Sequence, residues 1–489
     1  MNNSVRRFLP KANTDEGTTL KNALFIIHYS LFINLPTMFE DFLFPENPAE
    51  VVARLEEKKH FSHTENFRRR GNAAPPPSPL DAWAKAASAP KRTARRALYV
   101  HVPFCLHRCS FCSFYSNATR TADLDGYTAT VIREMQNALA DTPRLAQEEI
   151  NVVYFGGGTP TDLSARNLAD LVSFIYKNFN VAADREFTVE GRTSGFDEEK
   201  IRACVDNGVN RFSFGVQTFD TALRRKLGRI MSKEELIERL SLVKKIGGDN
   251  VALMLDFIYG LPGQTPGLWD EDLRMITEVV PVDGADLYQL KLLPGTSLTR
   301  AGKDLSYDER FDLFMTARER LSKLGWKRLS MTHWGRTSLE RNWYNHGTKT
   351  GMELVPFGSR AGGFLGGFSF MQMPDLQKYT ETVASGKKGL MVAVPDNPGI
   401  RMKNIVTHQL ELGFLEPAEI SPEFIAEDAK NVWKNWIRAG LLVPDGDRRY
   451  TLSPLGEYWH VTLISLVMGM LTQIASARHN HERVPVEAA

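Results

Sequence analysis

From Leu98 onward, short apolar runs rich in β-branched and aromatic residues alternate with stretches whose apolar positions recur at helical spacing. The runs Leu98 to Val102, Ile150 to Phe155, Glu186 to Glu190, Arg211 to Val216, Val251 to Tyr259 and Asp286 to Leu293 have the length and make-up of strands. Between them, Leu124 to Ala140, Ala165 to Phe179, Glu198 to Asn207, Lys233 to Ile246 and Leu268 to Val279 read as amphipathic helices. Six strands separated by helices predict an α/β fold with a parallel sheet, because parallel neighbours need crossover connections. Closed or partly closed, such a sheet is a (β/α) barrel, and its chemistry is expected where strands end at the C-terminal mouth.

The pattern changes on either side of this region. Pro45 to Lys59 reads as a helix, and Arg68-Arg69-Arg70 precedes a Pro-rich run, Gly71 to Pro79, that cannot sustain one and reads as a semi-rigid linker or strap. Ile400 to Leu471 combines helical periodicity with a hairpin turning at Asp445-Gly446-Asp447, a mostly helical, winged-helix-like module without a basic recognition stripe, read as a lid over the mouth. The expected division is a 1–80 extension, an 81–330 barrel, a 331–395 segment near substrate, and a 396–489 C-terminal domain whose tail after His479 is expected to be mobile.

Composition narrows this little. The chain has 489 residues and a formal net charge of +2, so its bulk balance does not call for nucleic acid or a membrane surface. The apolar run Ala23 to Leu35 is shorter than the roughly 20 residues needed to cross a bilayer and contains His28, Ser30 and Asn34. It reads as a short buried or interfacial segment, and the residues before Met38 are expected to add little to the fold. No cleavage site follows that run, and the cysteine usage suits a reducing cytoplasm.

Chemistry enters with Tyr99 to Tyr115, YVHVPFCLHRCSFCSFY, which carries Cys105, Cys109 and Cys112, three of the four cysteines. Three closely spaced thiolates can hold three irons of a [4Fe-4S] cube and leave the fourth iron open to a bound molecule. A zinc site completed by His101 or His107, or simple buried thiols, are the alternatives at this stage. A disulfide suits an odd local set poorly.

One strand and helix later comes Tyr154-Phe155-Gly156-Gly157-Gly158-Thr159-Pro160-Thr161, whose glycines let backbone approach a ligand closely. Then follow Glu190-Gly191-Arg192-Thr193-Ser194-Gly195-Phe196, Asn210 to Phe219, Leu227-Gly228-Arg229, and Leu255 to Thr265. In this order the segments resemble the radical S-adenosylmethionine (SAM) enzymes, in the subfamily of oxygen-independent coproporphyrinogen III dehydrogenase. The resemblance implies a partial six-stranded barrel and a cluster held by Cys105, Cys109 and Cys112, whose open iron chelates SAM and cleaves it reductively to a 5′-deoxyadenosyl radical. It further implies SAM contacts at Tyr99, Phe111, Gly157, Gly158, Thr159, Glu190, Gln217, Arg229, Asp256 and the strand-end position Lys291.

The chain departs from its relatives after Glu190, where Gly-Arg-Thr-Ser-Gly-Phe replaces the usual x-Asn-Pro or x-Asp-Pro. That change is most similar to the anaerobic haem-degrading radical SAM methyltransferases. The resemblance then implies two SAM molecules, a haem or related tetrapyrrole substrate, a flavodoxin or ferredoxin as electron donor, and a haem-delivery protein as a further candidate partner. Coproporphyrinogen III decarboxylation and non-catalytic haem carriage are the rival readings. Arg192 and the arginine triplet are candidate propionate anchors. Past the barrel, Trp326 to Trp334, Arg341 to His346 and Val355 to Phe364 resemble, in order, segments of the subfamily in a region that helps bind the second SAM, the last in altered form. His333 and His346 are candidate haem-iron ligands or hydrogen-bonded structural histidines.

Overall fold

The structure is a computed structural model that describes residues 38–58, 77–112, 117–292, 296–300 and 305–482. The apolar run Ala23 to Leu35, the arginine triplet and residues 71–76 of the Pro-rich linker lie outside the described residues.

All six expected strands are present: β1 (Arg96–Val102), β2 (Ile150–Gly157), β3 (Val181–Gly191), β4 (Arg211–Gln217), β5 (Ala252–Tyr259) and β6 (Gly284–Gln289). They pair in sequence order and all in parallel. The last strand stops at Gln289, short of the expected Leu293. Its partner β5 ends opposite it at Tyr259, where Gly260 takes φ +83° and leads the chain into a turn, so nothing remains to pair with.

Two further strands join this set. β7 (His333–Gly335) runs antiparallel to β6, and β8 (Glu353–Phe357) runs parallel to β1 on the far side. The sheet therefore has seven parallel strands and does not close: antiparallel additions continue it at both edges, to Leu390–Pro395 at one and Lys327–Arg328 at the other. The segment 331–395 is thus built onto both edges of the main sheet. β8 is hidden in the sequence because Pro356 argues against a central strand. It sits beyond the single pairing of Leu354 with Phe364, so its missing N–H breaks no ladder bond on that side.

Helices cover the outer face. Ala165–Asn178 is capped by Ser164, whose side chain accepts from Asn167 N–H, and it turns Leu168, Leu171 and Ile175 into the core. Lys233–Gly247 begins with a capping box formed by Ser232 and Glu235. Against these helices the strands set Phe155, Phe187, Phe212 and Phe214, all fully buried. The opposite face lines the lumen of the curved sheet, where the polar strand residues are gathered.

The C-terminal module has helices Pro398–Glu411 and Glu427–Arg438 and a three-stranded antiparallel sheet of Phe414–Leu415, Arg449–Leu452 and Leu442–Asp445. It packs at the C-terminal end of β6: Gln289 Nε2 donates to the Tyr458 hydroxyl at 2.5 Å, and Glu457 pairs with Arg318 and Arg328. The described part of the N-terminal extension is fastened to the same module. Phe44 and Asn435 exchange two hydrogen bonds, Trp436 Nε1 donates to Phe42 O, and Glu56 reaches Arg310. The final helix, His460–Glu482, runs past His479 and contains one stretch long and apolar enough to cross a membrane, of which 56% is buried inside the protein.

Candidate functional site

The chain leaves β1 at Val102 and enters the cysteine loop at once. Neighbours hold that loop at several points. Leu106 N–H donates to Asp162 Oδ2 at 2.6 Å, Ser110 N–H donates to Leu227 O, and Leu298 N–H donates to Ser110 O at 2.9 Å. Arg192 donates to His107 O, and Thr159 Oγ1 to Cys105 Sγ at 3.3 Å. Cys105 and Cys109 are buried and Cys112 is half-buried. Burial raises the Cys105 thiol pKa, while the Thr159 hydroxyl and the Arg192 guanidinium oppose that rise.

Among the described residues, no three His, Cys, Asp or Glu side chains stand close enough to hold a single metal ion. A zinc ion would need its thiolates about 3.8 Å apart, given Zn–S bonds of about 2.3 Å at tetrahedral angles. A cube spreads its thiolates over separate irons, so thiols that do not converge on one ion can still hold a cluster. The surroundings agree. Beside Cys109 and Cys112, Arg229 lies with its Nε buried and unpartnered, and burial together with Arg192 depresses its pKa despite Cys109 and Asp256 nearby. Its Nε–H is left free to donate to a bound group.

The glycine-rich exit of β2 crowds the same place. Gly157 takes φ +111°, and a Cβ on Gly158 would lie 2.5 Å from Phe104 O, so any side chain there would push the cysteine loop away. Gln217 at the end of β4 is buried with φ +71°, next to an irregularity in the β4–β5 pairing. A non-glycine residue held there stores strain of the kind that clusters at ligand sites.

Deeper in the lumen the strand registers stack acids. Asp256 pairs in register with Asp286, and Asp286 with His333. His333 donates from Nδ1 to Asp286 at 2.8 Å and from Nε2 to Glu340 at 3.0 Å, while Arg211 binds both oxygens of Glu340 at 2.9 and 3.2 Å. Burial opposes charge on His333, but the two carboxylates outweigh it and raise its pKa to about 10, so both ring nitrogens are donors. Burial, joined by Asp286 and Glu190, pushes Asp256 up to about 7. Burial likewise pushes Glu190 up to about 7, against the Tyr154 hydroxyl 3.1 Å away and Arg211. Asp286 and Glu340 have ion pairs, whereas Glu190 and Asp256 have none among the described residues and are the two that resist ionising. A ligand bearing positive charge would relieve them.

The structure gathers Tyr99, Glu190, Gln217 and Asp256 around this lumen, and Phe111, Gly157, Gly158, Thr159 and Arg229 around the cysteine loop. Tyr99 stacks on Tyr154 and Tyr344, and those two rings lie 3.9 Å apart. Lys291 falls two residues past the end of β6, on the wall of a cavity of about 770 Å³ between β6, the helix Tyr307–Lys323 and the C-terminal module.

Two expectations change. His333 cannot ligate haem iron, because both ring nitrogens are engaged by carboxylates and the side chain is 1% exposed. Its structural reading holds. Arg192 is buried against the cysteine loop and not free to anchor a propionate. His346 is exposed, with its ring 5.0 Å from that of His408, beside a void of about 10 Å³. Sequence reasoning passed over Arg211, Asp286, Glu340 and Tyr344. Inward parity along β4 and β6 could have flagged the first two, whereas nothing local ties Glu340 to Arg211, 129 positions away.

Comparison with known proteins gives a consistent picture. The family model described as the radical SAM superfamily matches residues 99–276. The chain is 36% identical to anaerobilin synthase of Escherichia coli O157:H7 over 390 residues, 78% of this chain and 86% of that protein. It is 30% identical to heme chaperone HemW of Lactococcus lactis over 59% of this chain and 75% of that one. Its fold resembles the coproporphyrinogen III oxidase HemN of Escherichia coli, a radical SAM enzyme, with a TM-score of 0.66, 21% identity, and coverage of 79% of this chain and 92% of that chain.

Proposed function

The chain belongs to the radical SAM superfamily, and on that premise we propose that it is a methyltransferase that opens the haem ring without oxygen, releasing iron and a methylated linear tetrapyrrole. The observation that carries this reading is the 36% identity to anaerobilin synthase across most of both chains. Within it, Cys105, Cys109 and Cys112 are the thiolates that hold three irons of a [4Fe-4S] cluster. Tyr99, Phe111, Gly157, Gly158, Thr159, Glu190, Gln217, Arg229, Asp256 and Lys291 are the SAM contacts, with two SAM molecules used in a turnover. When bound, the cluster and SAM supply a carbon radical and a methyl group, chemistry that no side chain provides.

The residues do the rest. Glu190 and Asp256 offer the sulfonium and ammonium groups of SAM two carboxyls that ionise more readily beside a cation. Arg229 faces the negative side of the assembly with an unused Nε–H. Thr159 donates to the Cys105 sulfur and, as a bond to the charged form, favours the thiolate that an iron needs. The staples from Asp162, Arg192 and Leu227 fix the loop before any ligand arrives. The C-terminal module, packed at the end of β6, shields the mouth from water. The shape is that of a partial barrel, working in the cytoplasm with a flavodoxin or ferredoxin as electron source and a haem-delivery protein upstream.

The test is an anaerobic incubation of the reconstituted protein with haem, SAM and a reductant. Bleaching of the Soret band with appearance of a methylated linear product is expected. Carbon dioxide release from coproporphyrinogen III, or stoichiometric haem transfer without 5′-deoxyadenosine, would replace this reading with decarboxylation or haem carriage.

A further inference from the structure

The cavity between β6 and the C-terminal module is large, aromatic and joined to the lumen, and one imidazole on its wall is left half used. Its volume of about 770 Å³ lies within the roughly 300–1,000 Å³ of small-molecule sites. Phe314, Trp334, Tyr458 and Trp459 give it flat apolar walls, and Asp286, bonded to His333 in the lumen, also borders it. A planar apolar ligand held there would therefore reach the acids of the lumen.

His460 opens the last helix and lines this cavity. Its side chain is 9% exposed. Nδ1 lies 2.8 Å from Glu457 O and, facing a carbonyl, must be the protonated nitrogen. Nε2 consequently carries the lone pair, and it has no hydrogen-bond partner among the described residues. Burial lowers the ring's pKa to about 4 against the pull of Glu411, so it is neutral at ordinary pH. Glu411, the carboxylate that pulls on it, is itself ion-paired with Lys349 at 2.9 Å. A backbone carbonyl on Nδ1 that leaves Nε2 free is the arrangement that orients imidazole for a metal and raises its basicity.

The geometry points to His460 Nε2 as the axial ligand of the iron of a haem seated in this cavity. The bond is dative, from the nitrogen lone pair to iron, with no proton or electron lost. This inference rests on the haem reading above and adds to it the site and the ligand.

The experiment uses the full reconstituted chain with its cluster oxidised, titrated with hemin and then converted to the ferrous nitrosyl form for EPR. The wild type should show nitrogen splitting from an imidazole opposite the nitric oxide. His460→Ala should lose that splitting and bind hemin about tenfold more weakly, equivalent to about 1.4 kcal/mol, and added imidazole should restore the signal. His460→Gln should behave like His460→Ala, with unchanged cluster content showing that the fold is intact. His346→Ala should match the wild type. Persistence of the splitting in His460→Ala and His460→Gln, or its loss in His346→Ala alone, overturns the assignment while leaving haem as substrate. A wild-type chain that takes up no hemin removes the haem reading itself.

Discussion

Two buried polar networks flank the same sheet, and they are built on opposite principles. On the outer side Glu134 meets Lys388 at 2.9 Å and the Tyr379 hydroxyl at 2.6 Å, with Gln372 and Gly358 N–H completing its shell. One acid faces one cation, and Lys388 also lies 3.9 Å over the ring of Phe357. In the lumen, Asp286 and Glu340 are ion-paired with His333 and Arg211, while Glu190 and Asp256 have no ion pair among the described residues and are pushed up to about 7. The first network satisfies its one acid and holds helix Leu124–Asp141 against the sheet. The second leaves two acids without an ion pair, an arrangement suited to a cationic ligand. Buried charge alone did not separate them; the balance of charge did.

That contrast can be broken most forcefully at Glu134. Glu134→Gln strands Lys388 without a counter-ion and should cost about 3–5 kcal/mol, read as a shift in the denaturant midpoint, with SAM affinity of the folded fraction unchanged. If Glu134→Gln weakens SAM binding instead, the division between structural and binding networks fails. The reverse holds for Asp256→Asn, which removes an acid that the empty lumen disfavours. Unliganded stability at pH 8 should rise by an amount on the order of 1 kcal/mol or more, while SAM affinity drops about tenfold, or about 1.4 kcal/mol. Calorimetry on the same variant reads both.

The pH profile sharpens the same point. Glu190 and Asp256 have folded pKa values above their unfolded ones, so between about 4 and 7 the folded state binds more protons. Stability of the SAM-free protein from these two groups therefore falls as pH rises through that window, and SAM should flatten the slope. A profile that rises there, or that SAM leaves unaltered, would show that neither carboxyl lies at the SAM site. The smallest effect is expected at Arg192: Arg192→Ala removes the bond to His107 O, costs about 1 kcal/mol, and speeds loss of cluster absorbance in air without changing hemin affinity.

Much of the scaffold was legible because it is written locally. The six strands carry runs of β-branched and aromatic residues, and helix Leu124–Asp141 differs from the expected Leu124 to Ala140 by one position. The cysteine spacing and the glycine run were equally plain. What stayed hidden depends on distance along the chain. Pro356 disguised a seventh parallel strand whose pairing partner lies some 250 positions earlier. His333 looked like a ligand until Asp286 and Glu340 were seen on its two nitrogens. His460 offered no motif, since its role rests on a carbonyl three residues back and on a cavity wall made by β6.

The central claim is that three thiols on one loop hold a cube with an open iron facing a SAM-binding lumen. EPR of the anaerobically reconstituted, reduced protein tests it most directly, with and without SAM, beside the variant in which Cys105, Cys109 and Cys112 are all alanine. The account predicts a [4Fe-4S] signal that changes shape when SAM is added and is absent from the triple variant. A signal indifferent to SAM, or one that survives the loss of all three thiols, would contradict it.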